Sequence, residues 1–94
     1  MKHIAIAVVA SIAFASAGTA GASEALAKSN GCLNCHAVDT KKVGPSFKDV
    51  AAKYKDNKEA EATITKKLSE AKGHPAVKAS ADDLKSIVNW ILAM

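Results

Sequence analysis

"GCLNCH", residues 31–36, decides how the rest of the chain is read: two cysteines stand two residues apart and a histidine directly follows the second. Three chemistries use such a pair. A thioredoxin-like redox dithiol needs βαβ surroundings. A structural zinc needs four ligands converging on a tetrahedron. Covalent attachment of a c-type haem needs two thiols and the histidine after them. The surroundings of the motif discriminate among the three.

Those surroundings are helical, and no segment carries the two-residue alternation of a strand. Upstream, a short helix is expected from about Ser23 or Glu24 to Ser29, with Ser23 as N-cap and Asn30-Gly31 as the stop that delivers the chain to Cys32. Downstream, Asp39 to Gly44 reads as loop, and Pro45 stands at a helix start. Phe47, Val50, Ala51 and Tyr54 follow at helical spacing. Asp56 and Glu59 have capping-box spacing for a third helix, with Ala60, Ile64, Leu68 and Ala71 on one face and Gly73 at its end. Ser80 and Asp83 repeat that signal before the stripe Leu84, Ile87, Val88, Ile91 and Leu92. The expected class is all-α, with about four short helices.

The first residues, MKHIAIAVVASIAFASAGTAGAS, have the layout of a secretory signal peptide: a basic start, an apolar stretch from Ile4 to Phe14, then small residues. That stretch is too short to cross a hydrocarbon core of ~30 Å. Cleavage is expected between Ala22 and Ser23, with the bond before Gly18 as the alternative. The division is therefore a leader over 1–22 and one domain over 23–94, exported to the periplasm and not inserted in the membrane once the leader is gone. A domain of this size buries only ~60% of its unfolded surface and commonly needs a staple, metal or cofactor. Its aromatic side chains are Phe47, Tyr54 and Trp90.

The 13 basic side chains, all lysine, against 9 acids give a net charge of +4. The lysines are scattered and no aromatic is interleaved with them, so the pattern does not predict nucleic-acid binding. They form a solvated surface or, in the sharper reading, a lysine-bearing face for an acidic partner.

The cysteines can now be weighed. A dithiol lacks its βαβ frame, and a zinc site would have to draw adjacent Cys35 and His36 onto one tetrahedral ion. Haem attachment remains. Its two vinyl groups sit on neighbouring pyrroles, a separation that thiols at i and i+3 of one helical turn can span, and the residue at i+4 falls on the same face. One haem c bound through Cys32 and Cys35, with His36 as axial ligand, is the expected cofactor.

Beyond this motif, "KSNGCLNCHAVDTKKVGPSFKDVAAKY" (28–54) and "DDLKSIVNWIL" (82–92) resemble the small bacterial class I c-type cytochromes of the c-551/c-552 kind. The resemblance implies a class I cytochrome c fold and single-electron transfer between redox protein partners by a monomer. It also implies that the Pro45 carbonyl accepts a hydrogen bond from the second ring nitrogen of His36. Such a bond orients the imidazole.

One feature departs from that family. Its sixth ligand is usually a methionine in a Pro-rich loop before the last helix, and past the leader this chain has only Met94. Setting His74-Pro75 against the family's Met-Pro makes His74 the candidate distal ligand. Gly73 frees the backbone there and Pro75 biases His74 toward extended geometry. Lys72 and Lys78 would first have to shed a proton with an ordinary pKa of ~10.4. Two imidazoles imply a lower potential than Met ligation. The alternative is a haem sensor or NO/CO-binding protein with a labile or vacant sixth position. Peroxidase chemistry is disfavoured by the absence of Arg and, past the leader, of a histidine beyond His36 and His74. Trp90, Phe47, Val50, Ile64, Leu68, Ile87, Val88 and Ile91 are the expected pocket and core residues.

Overall fold

The computed structural model describes residues 17–94, with side chains from residue 21 onward, so most of the expected leader lies outside the described residues. Four α-helices follow in order: α1 Ala17–Ser29, α2 Phe47–Lys53, α3 Ala60–Ser69 and α4 Ala81–Leu92, with a 3-10 turn at Cys32–Asn34. The described residues contain no strand.

α4 is the hub, packing on α1, α2 and α3. Its apolar stripe is buried at Leu84, Ile87, Val88 and Ile91, as the helical spacing requires. Ile87 and Ile91 meet Ala27 of α1 and Phe47 of α2, with Leu26, Cys32, Leu33, Val38, Val50 and Trp90 packed around them. The small Ala27 side chain is fully buried, which lets the α1 backbone come close to α4.

Local signals place the ends of these helices. Ser80 caps α4 through its Oγ, which accepts from the Asp83 N–H at 3.2 Å. Asn30 closes α1 with both its backbone N–H and its side-chain amide on the Leu26 carbonyl, and Gly31 turns the chain with φ 79°.

Four expectations need correction. Among the described residues α1 already runs from Ala17, so Ser23 is buried within it and caps nothing; alanine-rich sequence on both sides of Ser23 carries the helix through. α2 is capped by Ser46, whose Oγ accepts from the Asp49 N–H at 3.1 Å, and Pro45 lies one residue outside. The Asp56/Glu59 box does not form: Asn57 Oδ1 takes the Glu59 N–H instead, at 2.9 Å. α3 stops at Ser69, not at Gly73. Ala71 adopts φ 54°, and the Lys72 N–H returns to the Lys67 carbonyl in a six-residue closing bond.

Candidate functional site

Cys32 opens the 3-10 turn, and its carbonyl accepts from both Cys35 N (3.3 Å) and His36 N (3.0 Å). One tight turn thus carries both thiols and the histidine, and the thiols are not joined to each other. Burial pushes the Cys32 thiol above its ordinary pKa, opposed in part by a hydrogen bond from its own backbone.

The loop after the turn folds back over it. Gly44 N donates to the Cys35 carbonyl at 2.8 Å, and Lys42 Nζ donates to the Leu33 carbonyl at 3.1 Å. Phe47 N and Lys48 N then bond the carbonyls of Ala37 and Val38, locking the start of α2 beside the motif. These bonds bring Gly44 onto the His36 ring, where any Cβ would overlap its atoms. They also put the Pro45 carbonyl 2.6 Å from His36 Nδ1, where it accepts the ring N–H, and Phe47 stacks on the same ring at 5.2 Å.

Facing this assembly is the 70–80 connection between α3 and α4. Left-handed Ala71 and Gly73 (φ 70°) turn it, and the Val77 N–H anchors it on the Leu68 carbonyl. The His74 ring stands 6.0 Å from the His36 ring, centre to centre, with 4° between their planes. Its Nδ1 lies 2.7 Å from the Pro75 carbonyl.

Between the two histidines opens a cavity of about 540 Å³, within the ~300–1,000 Å³ range of cofactor sites. Cys32, Cys35 and His36 line it, with Pro45, His74 and the apolar side chains Phe47, Val50, Ile64, Leu68, Ile87 and Ile91. Val88 and Trp90, also expected at the pocket, do not line it: Val88 is fully buried in the core and Trp90 packs against the Phe47 cluster. Lys72, Lys78 and Met94 do not line it. A cavity with two thiols and a backed imidazole at its wall fits a covalently tethered, flat apolar group.

The family model for cytochrome c matches residues 20–94. The chain belongs to the cytochrome c family. Cytochrome c-552 of Nitrosomonas europaea is 37% identical to it, with 100% of this chain and 99% of that protein aligned. Cytochrome c-551 of Pseudomonas aeruginosa is 36% identical over 74% of each. Among solved structures, the class 1 cytochrome MtoD from Sideroxydans lithotrophicus ES-1 superposes with a TM-score of 0.68 and 34% identity, over 78% of this chain and 92% of that one. This cytochrome has the all-α class I fold and binds one haem c covalently through Cys32 and Cys35. It is a monohaem electron carrier for redox partners rather than an enzyme.

The structure brings all five sequence-derived site residues to one cavity. Among the wall residues to which sequence reasoning gave no site role are Lys53, Tyr54 and Lys67. Tyr54 was legible only as the last member of a helical stripe, and lysines on helix surfaces carry no signal in one sequence. No described helix is long and apolar enough to cross a membrane.

Proposed function

We propose that this cytochrome is an exported periplasmic carrier whose iron is held between His36 and His74, at a lower potential than a His/Met carrier of the same fold. The observation that carries the reading is the near-parallel pair of imidazoles 6.0 Å apart across the cavity. Metal–imidazole bonds of ~2.0–2.1 Å on each side separate two rings sharing one ion by about this much once the ring radii are added. Each Nδ1 is taken up by a proline carbonyl, Pro45 or Pro75, which leaves both Nε2 atoms for metal.

Bound haem iron would supply a one-electron couple. The chain's own residues do the rest. Cys32 and Cys35 tether, and the Pro45 carbonyl fixes the His36 tautomer and ring orientation. Ile64, Leu68, Ile87 and Ile91 keep water from the wall. Replacing thioether by imidazole favours the ferric state, because methionine ligation is what raises potential in this class.

The ferric holoprotein is expected to give a low-spin bis-imidazole electron paramagnetic resonance signal, and His74→Ala a high-spin one. A high-spin signal in the unmutated protein, indifferent to the mutation, would overturn the assignment and favour ligand binding at an open sixth position. For export, the layout of residues 1–22 is the support. Periplasmic protein should have an intact mass that starts at Ser23 and sediment as one chain; a retained leader would contradict it.

A further inference from the structure

Three rings run in contact from α4 to the proximal histidine. Phe47 stacks on the His36 ring, 5.2 Å between centres with 22° between planes, and the Trp90 ring meets Phe47 edge to face at 5.6 Å and 72°. Phe47 is 3% exposed, held among Ala27, Ile87 and Ile91, with half-buried Trp90 packed beside it. His74 has no such support: among the described residues the one ring stacked on it is His36 itself.

The hydrogen bond to Pro45 does not by itself fix the plane of the His36 ring. Such a bond tolerates ~30° of misalignment before it weakens much, and an imidazole bonded to metal through Nε2 can turn about the metal–nitrogen axis within that tolerance. Gly44 approaches the ring from one side only. Something else must set the angle. Aliphatic neighbours press without direction, whereas stacked and edge-to-face rings prefer particular angles at centre distances of ~4.5–7 Å. Both ring contacts of Phe47 fall in that range. The Trp90 edge keeps Phe47 from rocking, and Phe47 gives the imidazole a face to lie along. The plane of an axial imidazole decides which d orbitals of the iron it overlaps, so a plane that stays put lets an electron arrive or leave without ring rotation.

We propose that Trp90 is a positioning residue for electron transfer: acting through Phe47, it sets the plane of the His36 imidazole and thereby the near-parallel arrangement of the two imidazoles. The proposal rests on His36 and His74 as the iron's ligands, and its test separates its failure from theirs. Packing alone asks of position 90 only apolar volume. A ring edge is what the positioning role adds.

The test uses ferric holoprotein of Trp90→Leu, Phe47→Leu and, as the variant that keeps a ring, Trp90→Phe. Leu84→Ala truncates a buried α4 side chain outside the Phe47 cluster and is the control for lost stability, with Leu84→Val in its place should the larger truncation not fold. Electron paramagnetic resonance reads the angle between the two imidazole planes, since near-parallel rings give a rhombic low-spin signal and twisted rings a larger highest g value. Proton nuclear magnetic resonance reads the His36 plane through the order of the haem methyl shifts. Trp90→Leu and Phe47→Leu are expected to raise the highest g value and reorder the methyl shifts, and Trp90→Phe to stay near the parent. Leu84→Ala should lower the melting temperature with both spectra unchanged. Spectra equal to the parent's in Trp90→Leu and Phe47→Leu, or an equal change in Leu84→Ala, would overturn the proposal. A high-spin parent would sink the His74 ligand instead, and the methyl order would then decide the role of Trp90 alone.

Discussion

Gly44 is set by what it touches. Its backbone conformation is one that any residue can adopt, but a Cβ there would overlap Cε1 of His36 and come within 2.8 Å of Nδ1 and 2.9 Å of Nε2. Ring and loop cannot both keep their places. The ring is pinned by Pro45 and stacked on Phe47, and the loop is bonded to Cys35 and Leu33, so neither side yields cheaply. Gly44→Ala should therefore cost ~1–3 kcal/mol, the range of overpacked core sites. It should also disturb the haem spectrum, because the displaced atoms belong to the imidazole. A denaturation midpoint and an absorption spectrum both equal to the parent's would show that the contact relaxes. In the sequence, Gly44-Pro45 gained meaning only through family resemblance. The reason for the glycine is a contact with a residue eight positions earlier, which local patterns do not encode.

At the scale of helices, the sequence was read well where one signal acted alone and badly where two competed. Ser80 before the α4 stripe had no rival and caps as expected. At the start of α3, Asp56 had the right spacing, but Asn57 sits one residue nearer and takes the Glu59 N–H. At its end the glycine rule pointed to Gly73, whereas closure on the Lys67 carbonyl put Ala71 in the left-handed position. That conformation is strained for alanine. Ala71→Gly should therefore stabilise the protein by about 0.5–1 kcal/mol and raise its melting temperature by several degrees. A lower melting temperature would mean that Ala71 is not strained. The all-α class was legible because the α4 stripe, the Gly31 turn and the absence of alternation agreed. The place of Lys53, Tyr54 and Lys67 at the cavity wall was not, because it depends on two helices whose approach only the fold defines.

Over the whole molecule, charge and apolar surface meet near the mouth of the cavity. Val43, at the wall and 83% exposed, directly follows Lys41 and Lys42 in a chain of net charge +4. An apolar spot beside lysines suits brief docking with an acidic redox protein, where charge speeds encounter more than it tightens the complex. Electron transfer to such a partner should slow several-fold as ionic strength rises from ~0.01 to ~0.1 M, with Lys41→Glu flattening the dependence. A rate indifferent to salt would remove this face as the docking site. The two histidines, finally, are secured in different ways. The partner of His36 is nine residues away, so its orientation exists only while the motif and the Pro45 loop stay together. The partner of His74 is its immediate neighbour, so the orientation of its imidazole is set within the 70–80 segment itself. If His74 holds the iron as proposed and that segment lets go, the ring it carries back is already in the tautomer needed for return. The distal side is then a latch that springs shut without rearming, and the proximal side is the frame it closes against.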